Sequence, residues 1–354
     1  MKNKIYATIF AILAAVLYAI NMPCSKLLLE YIDPTMLASF LYLGAGFGIG
    51  ILFLITHKKD NEYEKIFKKD IIYVVGMIVL DIAAPILLMF GLSISPSGNA
   101  SLLNNFEIVA TALIALLIFH EKISWKMWIS IILVTLSSFF LSFESLASFK
   151  FSWGSILVLF ATLCWGLENN CTRNLSNKNT YQIVFLKGIF SGFGSLVIAL
   201  ILKENFPEFL YFALALLLGF VAYGLSIFFY IKAQKYLGAA KTSAYYAIAP
   251  FVGTFLSLII LNESLDISYF VGLAIMIVAS IIIVIDTLTI KHSHEHTHVY
   301  KVVENGVEVE KTITHTHEHV HFANLNNHPY LVRTHKTKVK NEDKNKEVEN
   351  TSKE

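Results

Sequence analysis

Charged side chains make up only 15% of the 354 residues, and cysteine and proline are scarce, at three and seven. The shortage of charge is uneven. From Lys291 onward the chain carries 20 charged and 16 apolar residues among 64, which leaves the preceding 290 residues about 62% apolar. Soluble domains average about 45 to 50% even with glycine counted, so a soluble globular body is excluded. The three cysteines (Cys24, Cys164, Cys171) lie in or beside apolar stretches without framework spacing, which excludes an extracellular disulfide scaffold. A net charge of +2 does not describe a nucleic-acid binder. Histidine is missing from the apolar stretches themselves: His57 and His120 stand at their edges, and the other ten follow Lys291. A membrane-embedded Ser or Cys nucleophile would therefore lack a histidine base, and neither Gly-x-Ser-x-Gly nor His-Glu-x-x-His occurs. The enzyme alternative shrinks to aspartyl chemistry from Asp81 and Glu107, which requires their helices to adjoin.

What is present is a series of long apolar runs. Crossing a hydrocarbon core of ~30 Å takes about 20 mostly apolar residues as a helix. Ten such runs occur, at about 5 to 29, 35 to 56, 71 to 92, 98 to 119, 124 to 143, 153 to 171, 181 to 202, 208 to 230, 240 to 261 and 267 to 287. Only helices or closed barrels satisfy their backbone in lipid, and these runs are too long and continuous for barrel strands. No small-residue cleavage pattern follows the first run, and Asn21, Met22 and Pro23 before Cys24 suit no lipoprotein site, so that helix is read as retained. With the N-terminus inside, Lys and Arg divide 14 to 3 in favour of the cytoplasmic loops, with Lys187 left inside a run. The expectation is a multi-pass protein of the cytoplasmic (inner) membrane with both termini cytoplasmic.

The runs also repeat. Glu107 to Ser124 (EIVATALIALLIFHEKIS) matches Ala249 to Asp266 (APFVGTFLSLIILNESLD), each helix closing on a glutamate, Glu121 or Glu263. At a nearby offset, Tyr18-Ala-Ile-Asn-Met-Pro-Cys-Ser-Lys26 lines up with Trp165-Gly-Leu-Glu-Asn-Asn-Cys-Thr-Arg173. Five runs per half, an odd number, insert the second half upside down, and a substrate site then falls between the halves near the midplane. The expected fold is an all-α integral membrane protein of ten transmembrane helices in two inverted five-helix repeats, residues 1 to 145 and 150 to 289. A His-rich cytoplasmic tail, 290 to 354, follows.

Five plus five spans, Lys26 after the first helix, and fourth and ninth helices each closing on x-x-Glu resemble the EamA type of the drug/metabolite transporter superfamily over roughly residues 5 to 288. One departure is that the proline common at the start of the closing helix is present as Pro250 but replaced by Ile108 in the first half. The resemblance implies a carrier of amino acids, their derivatives or other small metabolites, working by alternating access and commonly outward. It implies no required cofactor. The partners expected are the lipid bilayer, a small-molecule substrate and a proton or other coupling ion, with a homodimer compatible and nucleic acid not.

Ionisable groups inside lipid cost a few kcal/mol each and are retained where they face a cavity. Four stand out: Asp81, Glu107, Glu168 and Lys187. Aligning the repeats puts Tyr223 opposite Asp81, Ala249 opposite Glu107 and Asn21 opposite Glu168. The mid-span carboxylates Asp81 and Glu107 thus belong to the first half alone, and they suit a cationic or amine-bearing substrate or proton coupling through a desolvated carboxylate. Asn104 and Asn105 add donors and acceptors beside Glu107. Glu168 and Lys187 also fit a structural ion pair or snorkelling to the interface. Pro85, one turn after Asp81, removes the donor for the carbonyl of Asp81 and kinks the helix at a plausible gating point. Glycines in the second span (44, 46, 48, 50) and seventh span (188, 192, 194) read as close packing.

In the tail, His292, His294, His296 and His298 alternate, as do His315, His317, His319 and His321. Between them a β-rich stretch centres on Asn305-Gly306, a strong two-residue hairpin signal. With those two as the turn, Val302 meets Val309, Lys301 meets Glu310 and His296 meets His315, and all eight histidines share one face. Neutral imidazoles in opposed pairs are ligands for Zn, Ni or Co, and a metal could supply the stability that an isolated hairpin lacks. The alternatives are a disordered tail whose histidines are compositional, or a protein that itself exports or senses a divalent metal. Beyond about Arg333 the composition reads as disorder.

Overall fold

The computed structural model describes residues 2–56, 66–120, 123–145, 150–175, 178–237, 245–262, 267–304 and 307–322. They form two compact units, 1–288 and 289–354. Glu121, Glu263, the Asn305-Gly306 turn and the tail beyond Phe322 lie outside the described residues.

Among the described residues, the regular structure of the first unit is helical apart from a short antiparallel pair, β1 (Phe143–Ser145) and β2 (Lys150–Phe151). Its helices are α1 (Lys2–Ala19), α2 (Asn21–Leu28), α3 (Pro34–Thr56), α4 (Ile71–Ser93), α5 (Ser97–Leu103), α6 (Phe106–Phe119), α7 (Trp125–Leu141), α8 (Trp153–Asn174), α9 (Thr180–Ile201), α10 (Phe209–Leu218), α11 (Ser226–Leu237), α12 (Ala249–Leu261) and α13 (Ile267–Leu288). A π-helical turn, Gly219–Leu225, joins α10 to α11. Three expected spans are thus segmented. The first breaks at Ile20, three residues before Pro23, whose ring leaves the carbonyl of Ala19 without a helical donor. The fourth breaks at Asn104 and Asn105.

Among the described residues, seven helical stretches are long and apolar enough to cross a membrane: Ile5–Leu28, Pro34–Ile55, Lys68–Ser93, Ser97–Ile118, Tyr181–Ile201, Phe209–Tyr230 and Tyr269–Asp286. The protein is a multi-pass membrane protein. Over the described residues, three runs read as spans from sequence are shorter or more polar than these. α7 has 17 residues and is capped by Ser124, whose hydroxyl accepts from the backbone N–H of Met127. Pro250 sits in the first turn of α12, which ends at Asn262 in the left-handed region, φ 48°. α8 has the length but carries Glu168, Asn169 and Asn170 in its last three turns.

Close packing of α3 on α9 organises the bundle, and the glycines expected there are the means. A Cβ on Gly188 would lie 2.5 Å from the Cα of Gly46, and one on Gly46 would lie 2.8 Å from the backbone nitrogen of Ile189. The backbones therefore touch, and any side chain would force them apart. Ser39 Oγ adds a bond to the Gly192 carbonyl at 2.8 Å. α4 packs on α8, α1 on α11, α6 on α8 and α7 on α13. The side chains aimed outward from these helices include Leu54, Ile72, Leu117, Ile201 and Phe209, as lipid contact requires.

The second unit is an antiparallel pair, β3 (Thr289–Glu304) and β4 (Val307–Phe322). Val302 is opposite Val309, Lys301 opposite Glu310 and His296 opposite His315; His294 is opposite His317 and His292 opposite His319.

Candidate functional site

Three of the four ionisable groups picked out in the spans come together. Lys187 Nζ, from α9, lies 3.1 Å from Asp81 Oδ2 on α4 and 2.9 Å from Glu168 Oε1 on α8. The two carboxylate side chains are sealed, at 0% and 2% exposure, whereas Lys187 keeps 17%. Neutral donors complete the shell. Tyr42 Oη donates to Asp81 Oδ1 at 2.9 Å, Thr172 Oγ1 donates to Glu168 one helical turn back, and Trp165 Nε1 donates to Tyr42 Oη at 3.4 Å. Removing charges from water costs several kcal/mol per ion, and an excess of buried carboxylate over ammonium is poor structural glue. The reading of Glu168 and Lys187 as an isolated ion pair is therefore incomplete, because Lys187 is shared with Asp81.

Glu107 sits apart from Asp81 in its bonding. It accepts from Asn169 Nδ2 at 2.6 Å, and the same amide donates to Thr111 Oγ1 at 3.2 Å. Asp81 and Glu107 thus each hold a different partner, and the carboxylates that share one cation are Asp81 and Glu168. Asn104 Nδ2 donates to Tyr18 Oη at 3.0 Å, while Asn104 Oδ1 and Asn105 Nδ2 are buried without a hydrogen-bond partner. Asn21 Nδ2 donates to Tyr223 Oη at 3.1 Å, and Ser25 Oγ donates to Asn21 Oδ1 at 3.0 Å. The Tyr223 ring links the groups, with its centroid 5.4 Å from that of Tyr42 and 5.8 Å from that of Tyr18; Tyr18 in turn lies 5.8 Å from Tyr246. These bonds and ring contacts link Asp81, Glu168 and Lys187 with Asn21, Asn104 and Tyr223, and Glu107 joins through Asn169, the neighbour of Glu168.

Sequence reasoning missed Tyr42, Thr172 and Asn169 as partners. Tyr42 is a phenol in the middle of an apolar glycine-rich run, which is the available signal, since a buried tyrosine hydroxyl seeks a partner. Lys26 has a different task from the cluster: its Nζ takes the carbonyls of Leu92 at 2.6 Å, Ser93 at 3.1 Å and Ser95 at 3.0 Å. It caps the C-terminal end of α4, where orphan carbonyls and the helix dipole both favour a cation. Among the described residues of the helical unit, no group of three or more His, Cys, Asp and Glu could hold a metal ion.

A polytopic helical bundle with buried ionisable groups inside it is the setting in which membrane transporters place their sites. The EamA-like transporter family model matches the chain twice, over residues 5–143 and 152–285, and the chain belongs to that family. A relative described as an uncharacterized transporter, from Methanothermobacter thermautotrophicus (strain Delta H), is 26% identical over 286 residues, covering 75% of this chain and 82% of its own. A solved crystal structure superposes with a TM-score of 0.56 at 13% identity, over 78% of this chain and 94% of the other, which speaks to the fold.

Proposed function

We propose that the protein is a secondary active transporter, working by alternating access, which exports a small amine-bearing metabolite such as an amino acid or related amine across the cytoplasmic membrane. The observation that carries this reading is the polar cluster at Asp81, Glu107, Glu168 and Lys187, which holds three carboxylates to one ammonium within the helical unit. A site with that excess attracts a cation. Tyr18, Tyr42 and Tyr223 beside it offer ring faces on which an ammonium is also favourable. Ten spans as two inverted repeats, with both termini cytoplasmic, accommodate the double family match, the 14 to 3 lysine and arginine bias, and the crossing of first-half helices with second-half helices. The test is uptake and counterflow of a panel of amino acids, amines and divalent metals in vesicles, by full-length protein and by a form ending at Leu288. Saturable exchange of an amine by both forms is expected; transport of the metals alone would replace this reading with metal export.

A second reading concerns the tail. We infer that it binds a divalent metal, Zn, Ni or Co, as a regulator of the carrier. Its support is the register, in which three successive His–His pairs are opposed along β3 and β4, a spacing within reach of a shared ion. Metal titration of the full chain, compared with the form ending at Leu288, tests it; equal binding by the two would end it.

A further inference from the structure

The two halves offer an internal control for the charge cluster. In the alignment of Tyr18 to Lys26 with Trp165 to Arg173, Asn21 stands where Glu168 stands and Ser25 where Thr172 stands; Tyr223 stands where Asp81 stands. The wiring is parallel at the two places. Ser25 Oγ donates to Asn21 four residues back, and Asn21 reaches across to Tyr223 in the other half. Thr172 Oγ1 donates to Glu168 four residues back, and Glu168 reaches across to Asp81 in the other half through Lys187. At one crossing the bonds are all neutral. At the matched crossing the positions of Asn21 and Tyr223 hold two carboxylates, and Lys187 is added between them, net −1.

The neutral crossing demonstrates that this join between halves closes without ions, so closure does not account for the charged one. A buried ion triad is costlier than an uncharged equivalent, and its net charge is open to one further positive charge. A metal ion would have to sit against the Lys187 ammonium, which already occupies the space between the two carboxylates; a proton would not. We propose that Asp81, Lys187 and Glu168 form a proton site, and that the proton is the coupling ion of the transport cycle. This rests on the reading of the chain as a secondary transporter. One proton adds to a carboxylate oxygen of Asp81 or Glu168, the triad passes from −1 to neutral, and Lys187 stays with the carboxylate that remains ionised. Release reverses the step. The other titratable groups around it are Tyr42 from α3, Tyr223 from the π-helical turn, Cys171 on α8 and Glu107 from α6. Of these Glu107 is held by a neutral amide and is left for the substrate.

The test is an infrared pH titration of the full chain in lipid nanodiscs, with no substrate present. Acidification should raise a protonated-carboxyl band that disappears or loses most of its amplitude in Asp81→Asn and Glu168→Gln and persists in Glu107→Gln. A wild-type band unaffected by either substitution, or lost only in Glu107→Gln, overturns the proposal, as does the absence of any band. Where Asp81→Asn or Glu168→Gln fails to insert, Asp81→Glu and Glu168→Asp take their place and must move the band's frequency or midpoint; an unmoved band again overturns it. Vesicle exchange of the amine panel is read separately. A titrating triad in a protein that exchanges nothing refutes the transporter reading and leaves the proton site, whereas exchange without titration does the reverse.

Discussion

Two crossings between the halves of this molecule share one hydrogen-bond plan and differ in charge. Asn21, Ser25 and Tyr223 meet through neutral bonds, while Glu168, which accepts from Thr172, meets Asp81 through Lys187. The difference teaches which part of the cluster belongs to the fold and which to its work. A hydroxyl bonding one turn back and a polar reach across the interface are shared, so they are architecture. The ions are present on one side only, and there they carry the desolvation cost that the other side avoids.

Breaking the charged member should therefore cost function, and breaking the neutral member should cost little. The largest effect is expected for Asp81→Asn, which removes one charge and keeps the shape: exchange of the amine panel should fall at least about a hundredfold, or ~2.7 kcal/mol. Tyr223→Phe, at the matched position, should stay within a few fold. Next comes Lys187→Met, which strands two buried carboxylates and should lower thermal stability by about 3 to 5 kcal/mol. Adding Asp81→Asn to it should recover a large part of that loss, because one uncompensated charge goes; no recovery would mean that the two residues do not share a charge balance. Gly272→Leu, on α13, lies away from both crossings and tests packing alone. Its side chain would press on Leu141 of α7, with a stability loss of about 1 to 3 kcal/mol in detergent that is independent of pH. The smallest effect belongs to Lys26→Met, which frees three carbonyls at the end of α4 and should cost about 1 to 2 kcal/mol with exchange otherwise preserved.

Much of this was legible before any coordinates. Long apolar runs and sparse charge define a membrane body because lipid allows few alternatives, and Asp81, Glu168 and Lys187 stand out singly because charge in lipid is expensive. Their meeting was not legible, since it depends on which face of α4 turns toward α8 and α9. Tyr42 and Thr172 escaped notice for the opposite reason: hydroxyls are cheap in a helix, so their presence in an apolar run raises no alarm. Ser124 and Pro250 each stand at the N-terminal end of a helix, α7 or α12, a boundary that hydropathy alone does not fix. The repeat, read from Glu107 against Ala249 and from Tyr18 against Trp165, sets a neutral residue opposite each of the three carboxylates: Tyr223 opposite Asp81, Ala249 opposite Glu107 and Asn21 opposite Glu168.

The central claim is that the charged crossing, and not its neutral counterpart, carries transport. The measurement that tests it most directly is vesicle exchange of the amine panel by wild type, Asp81→Asn and Tyr223→Phe, each verified as inserted. Exchange near background in Asp81→Asn with near-normal exchange in Tyr223→Phe is the predicted result. Full exchange by Asp81→Asn, or equal losses in the two variants, would contradict it.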